Sequence, residues 1–202
     1  MSGNLAEVVG MDVPTGLLIG GKWAGGRDSG TIPVIDPATE DVDEATDVGP
    51  LVNEPTRTKV AELVESAAAD GGKVVTGGRA PARRGYFYQP TIIDQVPADA
   101  GILGTEIFGP VAPVVRFTAE ADAVAWANDT EFGLVSYVYT GDLSRGLRVS
   151  EALEAGMVGL NRGIVSDPAA PFGGVKQSGI GREGAHDGLL EFTETKYIAT
   201  TW

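Results

Sequence analysis

The sequence predicts an α/β fold, and three observations carry that expectation. Apolar residues recur at helical spacing from Val60, short β-branched and aromatic runs alternate with such helical stretches, and glycine, proline, Asn or Asp punctuates the joints. Strand, helix, strand, helix, strand in succession is the pattern of βαβ units, so a largely parallel sheet is expected.

Each element has its own warrant. Residues 16 to 40 read as a hairpin, with "GLLIGGKWAG" as one extended run, a turn at "GRDSG" and "TIPVIDP" as the return. Two strands alone are marginal, so this hairpin needs a surface to lean on. The acidic run "EDVDEATD", residues 40 to 47, reads as a solvated linker. It is no EF-hand, because Ala45 stands where a liganding Asp or Asn belongs and no loop glycine follows. Asn53 can cap a helix with Pro55 in its first turn, Val60, Leu63, Val64 and Ala67 form its apolar face, and Gly71 and Gly72 stop it. "KVVTGG" is a short strand, and "YFYQPTIID" from Tyr86 is a second, with Pro90 placing it at an edge or an irregularity. "VAPVVRF" is a third, residues 118 to 128 form a helix, and "LVSYVYT" from Leu134 reads as a strand buried on both faces. Asp142 caps a helix running to Ala155, Gly156 ends it, and "MVGLN" continues extended. The expected core is Val60, Leu63, Val64, Val114, Val115, Leu134, Val138, Leu147, Leu153, Val158 and Leu160.

Composition removes several function classes. A chain of 202 residues with 43% apolar and 21% charged residues can bury a sizeable core. Its formal net charge of -13 opposes nucleic acid and anionic membrane, which leaves no nucleic-acid or membrane partner in the reading. The opening "MSGNLAEVVGMDVPTG" has no basic n-region, and no apolar run approaches the roughly 20 residues of a membrane span, so a cytoplasmic location is expected. With no cysteine and one histidine, there is no thiolate or zinc site, and no metal ligand set is expected. His186 would have to serve any Ser-His-Asp triad, but its neighbour Asp187 points to another helix face and no G-x-S-x-G elbow is present.

Two glycine-bearing stretches call for a ligand reading. "GIGREG", with Gly179, Gly181 and Gly184, matches G-x-G-x-x-G, but too few residues follow Gly184 to complete a βαβ unit with its ribose-binding acid. The glycines instead let this loop run close to neighbouring backbone. "GTEIFGPV", residues 104 to 111, sets an acid and a large aromatic beside a Gly-Pro turn, a pairing suited to a flat polar ligand.

The segments "PLVNEPTRTKV", "GYFYQPTII", "EIFGPVAPVVRF", "ANDTEFGLVSYVYT", "MVGLNRGIVSDPAAPFGGVKQSGIGREG" and "FTETKY" together resemble the carboxyl-terminal part of an aldehyde dehydrogenase, and "GIVSDPAAPFGGVKQSGIGREG" resembles the succinate-semialdehyde dehydrogenase branch in particular. "LLIGGKWAGG" with "VIDPATE" is similar to the family's amino-terminal hairpin. The resemblance implies an α/β chain made of the carboxyl-terminal half of an aldehyde dehydrogenase catalytic domain plus a β oligomerisation arm. Residues 1–42 would be the hairpin arm, 43–185 a truncated catalytic domain, and 186–202 a helix end and the arm's strand "TKYIATTW".

In the family, "VIDPATEDV" leads into the dinucleotide-binding domain and then the catalytic cysteine, whereas here "DEATDVGPL" follows, as though the two ends were joined near Val42 and Asp43. The resemblance implies a chemistry of thiolate attack, hydride transfer to NAD or NADP and base-assisted hydrolysis of a thioester, and its nucleophile, general base and oxyanion donor would all lie in the absent part. No catalytic residue is therefore expected. By resemblance, Glu106 would hold the nicotinamide ribose and Phe108 would pack beside the nicotinamide, both vestigial, with weak NAD or NADP binding. Ser166 would help hold the substrate's distant carboxylate and Phe172 would line the substrate entrance. Plainer roles stand beside these: Phe108 and Phe172 as core aromatics, Glu106 as an exposed acid, and Ser166 as a loop serine closing the turn before Asp167 and Pro168. The function expected is a truncated, succinate-semialdehyde dehydrogenase-like protein inactive alone. The alternative is an interaction module that assembles as a dimer with itself or with a full-length aldehyde dehydrogenase subunit.

Overall fold

A computed structural model describes residues 17–19, 22–25 and 48–202. The chain divides into two units, Met1–Asp36 and Pro37–Trp202. In the first, β1 (Leu17–Ile19) and β2 (Lys22–Ala24) pair antiparallel, with Leu17 opposite Ala24 and Ile19 opposite Lys22. The run expected to be one strand is thus two strands that pair with each other. The expected return strand "TIPVIDP" and the acidic run 40 to 47 lie outside the described residues.

The second unit begins its regular structure with α1 (Glu54–Ala69). Asn53 caps it as expected: its Oδ1 accepts the Thr56 N–H at 2.9 Å, meeting one of the orphan donors of the first turn. Val60, Val64 and Ala67 on one face are buried, and Gly71, at φ +107°, follows the C-terminal end. β3 (Lys73–Thr76) pairs antiparallel with β4 (Thr91–Asp94), which pairs parallel with β5 (Val111–Pro113) across the short 3-10 turn Gly101–Gly104. The strand expected from Tyr86 therefore starts only at Thr91, one residue past Pro90, which has no N–H to give a ladder. Burial is deepest where α1, β4 and the 3-10 turn meet, at Val60, Ile93 and Ile102.

Beyond β5 come α2 (Glu120–Asn128), β6 (Phe132–Gly133), β7 (Val135–Val138), α3 (Leu143–Ala152), β8 (Met157–Leu160), β9 (Val175–Lys176) and the single turn α4 (Asp187–Leu190). β7, α3 and β8 make a βαβ unit, with Val135 opposite Met157 and Val138 opposite Leu160 in a parallel ladder. Asp142 caps α3 through its Oδ1 and the Arg145 N–H, and the helix stops at Ala152, short of the expected Ala155. Asn161 fastens the ladder's end, its side chain accepting the Thr140 N–H and donating to the Thr140 carbonyl, each at 2.9 Å.

Three expectations need correction. The strands do not form one largely parallel sheet: they form a mixed three-stranded sheet, the β7–β8 pair, and an antiparallel β6–β9 pair. The loop from Gly77 to Pro90 contains no crossover helix, so β4 returns antiparallel to β3. The run expected to be buried on both faces is not, since Tyr137 of β7 and Tyr139 just beyond it are exposed and the sheet here has only two strands among the described residues. For the same reason, of the expected core only Val60 and Val64 are buried; Leu63, Val115, Val138, Leu153, Val158 and Leu160 are half-buried, and Val114, Leu134 and Leu147 are exposed. Residues 193–202 carry no strand and are exposed; the strand expected of "TKYIATTW" is one that joins a second subunit's sheet.

Candidate functional site

Glu106 and Phe108 sit on the loop between the 3-10 turn and β5, and elements far apart in sequence hold that loop. Lys59 of α1 donates its Nζ to the Glu106 carbonyl oxygen at 3.0 Å. Gly109 lies so close to Val60 that an added Cβ would stand 2.7 Å from Val60 Cγ2, so only glycine lets the Gly-Pro turn press onto the core. The Glu106 carboxylate side chain is exposed and lines a shallow cavity of about 300 Å³ with Phe132, Ser136, Glu154 and Ser178. Phe108 is not on that wall. It is 73% exposed and held at φ +50°, a left-handed conformation that costs a bulky L-residue energy. The plainer role of Phe108 as a core aromatic is thereby excluded, while Glu106 is the exposed acid expected.

Ser166 and Phe172 sit on a second loop, between β8 and β9. Ser166 is exposed and no turn forms before Asp167; the turn lies one step later, at Pro168 and Ala169, where the Asp167 Oδ1 accepts the Ala169 N–H at 2.9 Å. Phe172 is half-buried and exchanges two backbone hydrogen bonds with Glu183, at 2.7 and 2.8 Å, which folds the glycine-rich tail back over its own loop. Glycine is required there for contact between backbones: a Cβ on Gly173 would meet the Gly181 carbonyl oxygen at 2.3 Å, and one on Gly156 the Gly173 carbonyl oxygen at 2.1 Å. Arg182 clips the fold, donating Nη1 to the carbonyls of Gly174 and Gly181. Neither Ser166 nor Phe172 lines the cavity beside Glu106.

Lys59 and Arg182 had no place in the sequence reading. Their partners are carbonyl oxygens, which every residue carries, so side-chain identity offered no signal. His186 is exposed at the start of α4. Among the described residues no group of three His, Cys, Asp or Glu could hold a metal, and no helix is long and apolar enough to cross a membrane. The displaced carboxylates lie elsewhere. The Arg116 guanidinium beside Asp94, the Arg148 guanidinium beside Glu120, and the Arg145 N–H on Asp142 hold those three carboxyls below their usual range.

The arrangement offers an exposed carboxylate on a backbone-anchored loop with a flat ring two residues on, and a hydroxyl and a second ring on another loop. That set can hold ribose hydroxyls and confine a planar group. It includes no thiol.

The profile of the family described as "Aldehyde dehydrogenase family" matches residues 29–198. A succinate-semialdehyde dehydrogenase of Paenarthrobacter nicotinovorans is 55% identical over 156 residues, which are 77% of this chain and 35% of that protein. The NADP(+) succinate-semialdehyde dehydrogenase of Escherichia coli K12 is 52% identical over 157 residues, 78% of this chain and 33% of that one. Among solved structures, an E. coli NADP-dependent enzyme superposes with a TM-score of 0.75 at 52% identity, covering 77% of this chain and 32% of its own. A Mycobacterium tuberculosis aldehyde dehydrogenase complexed with NAD+ gives 0.71 at 39% identity, over 75% and 32%. The chain thus spans about a third of the length of the curated relatives it matches.

Proposed function

The chain belongs to the aldehyde dehydrogenase family, and from that membership we propose that it is a partial, succinate-semialdehyde dehydrogenase-like protein that carries the nicotinamide side of a site but does not turn over substrate alone. The observation that carries this reading is 55% identity to a succinate-semialdehyde dehydrogenase in a chain that contains no cysteine. Thioester chemistry needs a thiolate, and removing a nucleophile that works with its base removes most of an enzyme's rate.

The chain's own residues would then do the following. The Glu106 carboxylate accepts hydrogen bonds from two ribose hydroxyls, and Lys59 holds its backbone in place. The Phe108 ring, already presented to solvent, confines the nicotinamide of NAD or NADP, which as the bound cofactor supplies the hydride acceptor. Ser166 donates to a carboxylate at the far end of the substrate, and Phe172 keeps water from its entrance. The three-part division at residues 42 and 185 belongs to the same proposal, as does assembly through the tail, where Tyr197 and Ile198 are exposed on a segment still without a strand partner. The occupant of that edge is a second copy or a full-length family subunit.

Calorimetric titration with NAD and with NADP, followed by assay of NAD(P)-linked succinate semialdehyde oxidation on the same sample, tests the reading. The expected result is no turnover and a dissociation constant at or above about 1 mM, equivalent to roughly 4 kcal/mol or less of binding. That weak binding should be lost on Glu106→Ala. Turnover by the purified chain would overturn the proposal.

A further inference from the structure

We propose that the cleft between β5 and β7 receives an extended aliphatic segment of a second polypeptide, supplied by the part of an aldehyde dehydrogenase chain outside the region this protein matches. The inference rests on the partial-member reading above and adds a place and a geometry to it.

Three cavities, of about 620, 540 and 300 Å³, share Ala127 on their walls and so adjoin along α2, the first sharing Phe117 and Ala123 with the second and Leu103 and Thr130 with the third; together they are the cleft. The sequence of α2, "EADAVAWAN", is mostly apolar, yet none of its residues is buried. Both strand edges that border the cleft are open: among the described residues β5 pairs only with β4, and β7 only with β8. Pro113 of β5 lines the first cavity, Val138 of β7 the second, and Val135 of β7 the third. Both flanking ladders are parallel, and parallel strands normally lie covered within a larger sheet. Open backbone edges above apolar walls are what strand addition uses, the main chain supplying affinity and alternate side chains the fit.

Charge and length select the occupant. Asp99, Asp129 and Glu106 on its walls have no ion-pair partner among the described residues, while Glu120 is paired with Arg145 and Arg148 and Glu154 with Lys176, so the charge left unpaired on the rim is acidic. A segment with basic flanks suits this rim, whereas a second copy would bring another net charge of -13 toward it. The E. coli relative has about two thirds of its length outside the match, which leaves ample chain to supply the strand.

The test co-expresses this chain with the E. coli relative's polypeptide from which the 157 matched residues are removed, so that a fragment unable to fold alone still meets its partner. The mass of the purified species and the hydrogen exchange of amides in β5 and β7 are then measured. A one-to-one complex is expected, with exchange in β7 slowed at least tenfold. Ala127→Arg, inside the cleft, should weaken the complex more than tenfold, and Ala125→Arg, on the same helix but lining none of the three cavities, should leave it unchanged. Failure to co-purify overturns the proposal, as does equal weakening by both variants. A homodimer broken only by Ala127→Arg would assign the cleft to a second copy, and protection already present in the isolated chain but lost on deleting residues 1–47 would assign it to the chain's own residues; either replaces the proposal. Cofactor titration of the chain alone is read separately, so failure of the partner and failure of the nicotinamide-site reading remain distinguishable.

Discussion

Phe108 carries, at the level of one residue, a local cost with no packing to offset it. A ring that is 73% exposed gains little from burial, and φ +50° costs a non-glycine residue about 1 kcal/mol or more. Folding alone does not explain it, and the cofactor contact proposed above gives the ring a use. Phe108→Gly should therefore leave stability unchanged or raise it by up to about 1 kcal/mol, the relief of strain being partly offset by glycine's larger unfolded-state entropy. Urea unfolding checks this, and a loss above about 2 kcal/mol would show the ring to be a packing residue. The acid and ring were legible in "GTEIFGPV" because their chemistry is local. Lys59, which holds the loop, was not, because its partner is a carbonyl 47 positions away.

At the level of elements, capping chemistry was the most legible feature, since a cap is decided within four residues. Asn53 and Asp142 both perform as their positions predicted. Asp142 also gives α3 a pH dependence. The Arg145 N–H lowers its pKa on folding, and the Arg148 side chain does the same for Glu120, tying α3 to α2. A group whose pKa is lowered on folding adds stability above its unfolded value, about 4 for these carboxyls, and loses it as pH falls through the native value. Urea midpoints should thus be flat from pH 7 to about 5 and drop below pH 4. In Asp142→Asn, which keeps the accepting oxygen but cannot titrate, the drop should be shallower. An unchanged acid limb in that variant would remove Asp142 from the account. Strand edges were less legible. Pro90 warned of an irregularity that proved to be the strand's beginning, and a run whose apolar residues read as continuous proved to be two paired strands.

Across the second unit, burial is one-sided. Val60, Ile93 and Ile102 are sealed under α1, while β7, β8 and α3 leave most of their apolar residues half-buried or exposed. Ile93→Ala should cost about 2 to 5 kcal/mol through lost transfer energy and a residual cavity, whereas Leu147→Ala, at a 55% exposed position, should change stability by no more than about 0.5 kcal/mol. A comparable loss at Leu147 in the isolated chain would show that the β7–β8 layer is covered after all.

The sequence by itself determined the α/β class, the main helices and the caps of two of them, and the family, because these rest on local spacing and on short motifs. Tertiary structure decided which apolar residues are buried, how β3, β4 and β5 are directed, that the turn in this loop follows Asp167 and not Ser166, and that β5 and β7 border an open cleft. An apolar residue carries the same pattern whether or not a neighbour arrives to cover it, and only the packing of distant segments settles that.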